Sequence, residues 1–237
     1  MTHTLLRKIV AEFVGTGFLV AAVVGSGIMG ERLAGGNVAI ALLANTISTG
    51  AALFALILTF GPISGGHFNP AVTLVDAMER GVPWTAAACY IPAQVAGAVF
   101  GAIAAHLMFG LAPISVSTHA RNGSTQAFSE FVATFGLVCV IWGCARQRSD
   151  MVAFAVAAYI TAAYWFTSST SFANPAVTIA RSFSNTFAGI RPVDVPAFMG
   201  AQFTGAISAT FLFRWLAPSV LDIRAKQIVV PTVSRNL

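Results

Sequence analysis

The stretch SFANPAVTIARSF, residues 171–183, shares the five residues NPAVT with an earlier stretch, GGHFNPAVTLVDA, residues 65–77. How that duplication is read decides the fold. Each copy follows a loop of small, polar-leaning residues, GPISGGHF before Asn69 and TSSTSFA before Asn174. Each also opens as a helix does, because Asn is a favoured N-cap and Pro is favoured at the first helical position, where its missing N–H costs nothing. The segments so begun, residues 70–80 and 175–187, are too short to cross a bilayer. A single copy reads as a capped surface helix. Two identical copies call for a common cause.

Composition sets the environment. Only 9% of the 237 residues are charged and 57% are hydrophobic, with mean hydropathy +0.79; a soluble domain carries about 25% charge. Apolar runs long enough to cross a hydrocarbon core lie at roughly 8–29, 37–60, 84–109, 126–145, 151–168 and 195–217. Arg7 and Lys8 precede the first run as in a signal peptide, but that run is too long and contains Glu12, so it is expected to be a retained helix. The three cysteines, Cys89, Cys139 and Cys144, are odd in number and scattered, which argues against a disulfide framework and against a metal site. No cofactor is indicated. The net charge of +5 comes from residues between spans and in the tail, which fits membrane orientation rather than nucleic acid.

The repeat extends beyond the pentapeptide. AEFVGTGFLV at Ala11 returns as SEFVATFGLV at Ser129, and AQVAGAV at Ala93 returns as AQFTGAI at Ala201. A single domain over residues 1–237 therefore divides into halves of about 5–110 and 125–217, with 218–237 as a cytoplasmic tail. Each half holds an odd number of spans, so the second enters the membrane inverted. Inverted repeats place a pathway at the midplane, where broken helices meet, and non-helical backbone is tolerated there only when buried in protein or lining a cavity. One broken helix from each half explains why the pentapeptide occurs twice.

The paired NPA motifs, the SGGHFNPAVT loop, the two EFV segments and the two AQ-xx-GA segments resemble the aquaporin and glycerol-facilitator family, the major intrinsic proteins, over roughly residues 5–217. That resemblance implies an all-α bundle of six transmembrane helices and two half-helices, assembled as a homotetramer with one pore per subunit. The pore motifs are Asn69-Pro70-Ala71 and Asn174-Pro175-Ala176. Backbone carbonyls along the pore come, by resemblance, from Gly65, Gly66, His67 and Phe68 and from Thr170, Ser171 and Phe172, and His67 is a candidate lining residue. Members usually carry Arg directly after the second NPA; this chain has Val177. The other constriction positions, counted by resemblance, are Thr49, Ala162 and Ser171. Such a ring is expected to be wide, mildly polar and uncharged.

The residues' own chemistry points the same way. A side-chain amide has one oxygen acceptor and two N–H donors, so Asn69 and Asn174 can cap their helices with the oxygen and aim N–H groups at the lumen. Each half-helix N-terminus carries roughly half a positive charge, which repels cations and protons but not neutral polar solutes. Glu12 and Glu130 sit within spans, where an ionisable group suggests a proton relay. The structural alternative, that each accepts from backbone N–H groups of its half's irregular loop, is favoured by their symmetric placement. Gln94 and Gln202 read as polar packing. Ala93, Gly97, Gly101, Gly200 and Gly205 read as close helix contacts. Arg181 faces within about 40° of Val177 and leans back toward it. It either reaches the constriction, or it lies in the outer vestibule or bonds carbonyls near the half-helix end; the latter is favoured because a charge nearer the outer surface is more easily solvated.

The function expected is a passive channel for small uncharged solutes such as glycerol, urea or arsenous acid, together with water, in the lipid bilayer of the plasma membrane. A water-selective pore is the nearest alternative and an ion-coupled transporter a more distant one. No catalytic constellation is present. Arg7, Lys8, Arg80, Arg146, Arg148, Arg214, Arg224, Lys226 and Arg235 fall on one side, against Arg32, Arg121, Arg181 and Arg191 on the other. The positive-inside rule then puts both termini in the cytoplasm. Tags at either terminus should be protected in intact cells while one near Arg121 is accessible; protease access to a terminal tag from outside would reverse the assignment.

Overall fold

The computed structural model describes residues 3–217. The expected tail, with Arg224, Lys226 and Arg235, lies outside the described residues, as does the side chain of Arg146. The described residues form eight α-helices: α1 (Leu5–Leu33), α2 (Val38–Ser64), α3 (Pro70–Met78), α4 (Trp84–Met108), α5 (Ser124–Gln147), α6 (Val152–Phe166), α7 (Pro175–Arg181) and α8 (Val195–Leu216). Six are long and apolar enough to cross a membrane. The other two, α3 and α7, start at the two NPA motifs.

α1 begins before its apolar run because a polar residue caps it, and α2 begins close to its expected start at another polar cap. Thr4 Oγ1 accepts from Arg7 N at 3.4 Å before α1, and Asn37 Oδ1 accepts from Ala39 N and Ile40 N before α2. α7 is shorter than the sequence suggests, ending at Arg181 rather than near residue 187. Just beyond its end, the carbonyls of Ser182 and Phe183 accept from Ser117 N and Ser115 N at 2.9 and 3.0 Å. That pairing draws the chain out of helix.

The two halves make matching contacts. α1 packs on α4 and α2, α5 packs on α8 and α6, and α2 meets α6 across the halves. Small residues set the close approaches. A Cβ on Gly97 would overlap the Phe13 carbonyl, one on Gly101 the Gly17 carbonyl, and one on Gly205 the Phe131 carbonyl. Gly200 differs from Gly97, Gly101 and Gly205: among the described residues nothing lies within 4 Å of a Cβ there, so no helix of this chain packs closely against it. Large apolar side chains such as Phe18, Ile47, Phe54, Phe100, Phe154 and Phe211 point outward, a surface suited to lipid. α3 and α7 are largely buried and touch each other.

Candidate functional site

Both loops before the half-helices adopt the same backbone. φ is positive four, three and one residues before each Asn: 103°, 65° and 50° at Gly65, Gly66 and Phe68, and 61°, 49° and 48° at Thr170, Ser171 and Ala173. The first loop uses glycine twice. The second uses none, and each such residue costs roughly 1–2 kcal/mol, so other bonds must hold the shape.

A buried carboxylate does so in each half. Glu12 accepts from His67 N at 3.0 Å and Phe68 N at 2.7 Å, and Glu130 accepts from Phe172 N and Ala173 N, both at 2.8 Å. Each carboxylate is steadied by a glutamine that also bonds the Thr of NPAVT. Gln94 Nε2 reaches Glu12 and Thr73, both at 2.8 Å; Gln202 Nε2 reaches Glu130 at 2.7 Å and Thr178 at 2.8 Å. Ser64 Oγ accepts from Gly66 N, and Ser169 Oγ from Ser171 N. Gln94 and Gln202 are thus more than packing.

The two Asn side chains join the halves. Asn69 Oδ1 caps α3 by accepting from Ala71 N at 2.9 Å, and Asn174 Oδ1 caps α7 by accepting from Ala176 N at 3.0 Å. Each Nδ2 donates across the midplane, Asn69 to the Ala173 carbonyl and Asn174 to the Phe68 carbonyl, both at 2.8 Å. One N–H of each amide is thereby committed to the opposite loop, and the second remains to face a solute.

A cavity of about 60 Å³ passes both Asn residues, room for a few water-sized groups. Gly66, His67 and Phe68 line it from one loop, and Ser171, Phe172 and Ala173 from the other; Gly65 and Thr170, expected there, do not. The apolar wall includes Val72 and Val177, the valines of the two NPAVT copies. Both ring nitrogens of His67 turn into protein, Nδ1 toward Thr73 Oγ1 at 3.1 Å and Nε2 toward Asp76 at 3.2 Å.

Three of the four expected constriction residues, Thr49, Ser171 and Val177, line this cavity. Ala162 does not: it is exposed on the outer face of α6. Tyr164 lines the cavity instead, its hydroxyl 3.2 Å from Thr49 Oγ1. Ala162 and Tyr164 lie two residues apart on α6, and two residues turn a helix by about 200°, so the residue that faces the cavity is Tyr164.

Arg181 also lines the cavity, buried at 2% exposure, so it does not lie in a solvated vestibule. Its Nε donates to the Ala188 carbonyl, the carbonyl bond foreseen for it, while its guanidinium stacks 3.3 Å from the Phe172 ring centre. The ring is therefore neither uncharged nor composed only of small side chains. Asp76 and Arg181 occupy the same place in the repeat, seven residues after each Asn. Asp76 pairs with His67 where Arg181 stacks on Phe172, so the halves differ in electrostatics though not in backbone.

The sequence reading also missed Arg121. Tyr90 donates to the Ser64 carbonyl at 3.0 Å, but Phe198, the matching residue, has no hydroxyl. Arg121 supplies the donor, its Nη1 reaching the Ser169 carbonyl at 3.1 Å and its Nε the Gly189 carbonyl at 2.8 Å. Burial pushes its guanidinium down to about 10, with Glu130 and Tyr164 opposing the drop, so it is charged at neutral pH.

A membrane-embedded cavity walled by two mutually bonded half-helices defines a pore protein. Residues 1–151 match the family described as Major intrinsic protein. Over 212 residues the chain is 55% identical to aquaglyceroporin AqpS of Rhizobium meliloti (strain 1021), covering 90% of this chain and 91% of that protein. It is 38% identical over 152 residues to Nodulin-26 of Glycine max, covering 63% of this chain and 55% of that one. The X-ray structure of the aquaglyceroporin from Plasmodium falciparum shares the fold, with TM-score 0.70 at 19% identity over 93% of this chain and 100% of that chain. The chain belongs to the major intrinsic protein family, a family of membrane channels and not of enzymes.

If Glu130 is a structural acceptor, Glu130→Gln should lower stability by about 1–3 kcal/mol through poorly satisfied loop N–H groups, and a protonophore should leave wild-type solute uptake unchanged. Thermal unfolding and vesicle uptake check both. A fully stable variant combined with protonophore-sensitive uptake would support a relay instead.

Proposed function

We propose that the protein is a passive channel for small uncharged polar solutes, of the class of glycerol, urea and metalloid hydroxides such as arsenous acid, and for water. The observation that carries this reading is the cavity shared by Asn69, Asn174, Thr49, Tyr164 and Ser171. Hydroxyl-rich solutes exchange water hydrogen bonds for these donors and acceptors, while the apolar wall at Val72 and Val177 gives them little to bind tightly. Ions and protons meet two half-helix N-termini and a buried cationic Arg181. The 55% identity to a protein called an aquaglyceroporin supports the solute class.

Tyr164 and Arg181 favour a second reading, a water-selective pore, because both fill space that small residues would leave open. Stopped-flow swelling of reconstituted vesicles, in water alone and against gradients of each neutral solute, decides between the two. The placement we infer is the plasma membrane with both termini cytoplasmic, supported by the Lys/Arg distribution. The assembly we infer is a homotetramer, supported by membership of the family.

Val177→Arg should lower glycerol or arsenous-acid flux by roughly tenfold, about 1.4 kcal/mol in the barrier, with a much smaller loss of water flux. The new side chain removes space and places another guanidinium in the cavity beside Arg181. Equal loss of water and solute flux at matched protein levels would indicate blockage and contradict the selectivity argument.

A further inference from the structure

We propose that the cavity wall at Arg181 is a binding site for a small, planar, singly charged oxyanion of the nitrate or formate class, and that an anion held there obstructs the pore. The site stands on the structure; the obstruction rests on the channel reading above.

Arg181 is 2% exposed and its hydrogen bond to protein runs from Nε to the Ala188 carbonyl. Its Nη1 is buried without a partner. Among the described residues no carboxylate lies within ion-pair distance of it. The neighbouring Arg121 differs. Its guanidinium, 4.9 Å from the Phe172 ring centre, donates to the Gly189, Ser169 and Phe187 carbonyls and to Thr170 Oγ1. Two guanidinium charges thus flank one phenyl ring, and Arg181 is the one with donor capacity to spare.

A buried cation without a counter-charge is costly, and the cavity offers a place for one. Ser171 Oγ lines the same cavity and is likewise buried with no partner. Phe172 covers a face of the Arg181 guanidinium, leaving the N–H edge as its binding surface. A planar oxyanion matches that edge, and a spherical halide gains less from it. Glu130 is not among the residues lining the cavity, and both its oxygens accept from loop N–H groups and Gln202 rather than facing the anion. The cavity, about 60 Å³, restricts the ligand to small anions.

The test uses the purified full chain at constant ionic strength, with chloride replaced stepwise by formate or nitrate. Thermal unfolding reads binding, and flux of water and neutral solutes into reconstituted vesicles reads obstruction. For the wild type, the melting temperature should rise with formate, and flux should fall to about half where formate equals its dissociation constant. Arg181→Met should remove the formate–chloride difference in both readouts, and Arg181→Lys should weaken it by losing the planar fork. Should Arg181→Met not fold, Ser171→Ala should shrink the formate–chloride difference measured within that variant. Indistinguishable formate and chloride curves in the wild type, a formate effect that survives Arg181→Met, or one undiminished in Ser171→Ala would overturn the site. A wild type that passes no solute but melts higher in formate would refute the channel reading and retain the site.

Discussion

Backbone that leaves helical geometry within a membrane must find every hydrogen-bond partner inside the protein, and this fold is organised around that constraint. Two loops break from helix before Asn69 and Asn174. Glu12 and Glu130 satisfy their amides, and each loop's last carbonyl accepts from the other half's Asn. The NPAVT repeat follows from this arrangement residue by residue. Asn caps and crosses the midplane, and Pro fills the first helical position. Ala is fully buried at Ala71 and Ala176, Val lines the cavity, and Thr receives the glutamine that steadies the carboxylate.

On a nearly two-fold backbone the chain builds an asymmetric field. Equivalent positions hold Asp76 beside His67 and Arg181 over Phe172. Arg121 then reinforces the second loop, where Phe198 lacks the hydroxyl that Tyr90 offers the first. Positive charge accumulates around the ring formed by Thr49, Tyr164, Ser171 and Val177. On the channel reading proposed above, selectivity belongs to that ring and the half-helix ends together, and the Val177 position alone does not describe it.

The six spans, the two half-helices, the inverted relation of the halves and the pairing of Glu12 and Glu130 with irregular loops were legible because each rests on hydrophobic length or on a repeated motif. What escaped the sequence depends on side-chain direction and on exact connection length. Ala162 was placed in the ring by counting, but the end of α6 turns Tyr164 inward and Ala162 outward. Arg181 makes the carbonyl bond that was one of its expected options, but it does so buried beside the cavity rather than in a solvated vestibule, with the Ala188 carbonyl and the Phe172 face against it. The crossed amide bonds could not be read either, since nothing in the spacing of Asn69 and Phe68 says that a carbonyl will be consumed by Asn174. Aligning the repeat as far as its seventh position would have exposed the Asp76–Arg181 correspondence.

If the crossed amides set the electrostatics of the midplane, Asn174 is the residue to alter. Asn174→Asp keeps an oxygen to cap α7 while replacing the N–H donor to Phe68 with a carboxylate oxygen beside the lumen. The decisive measurement is monovalent cation conductance of the folded, inserted variant in planar bilayers or vesicles. Conductance above the wild-type background is the expected result. A variant that folds and passes neutral solutes while its cation conductance stays at background would contradict the midplane as the barrier to ions.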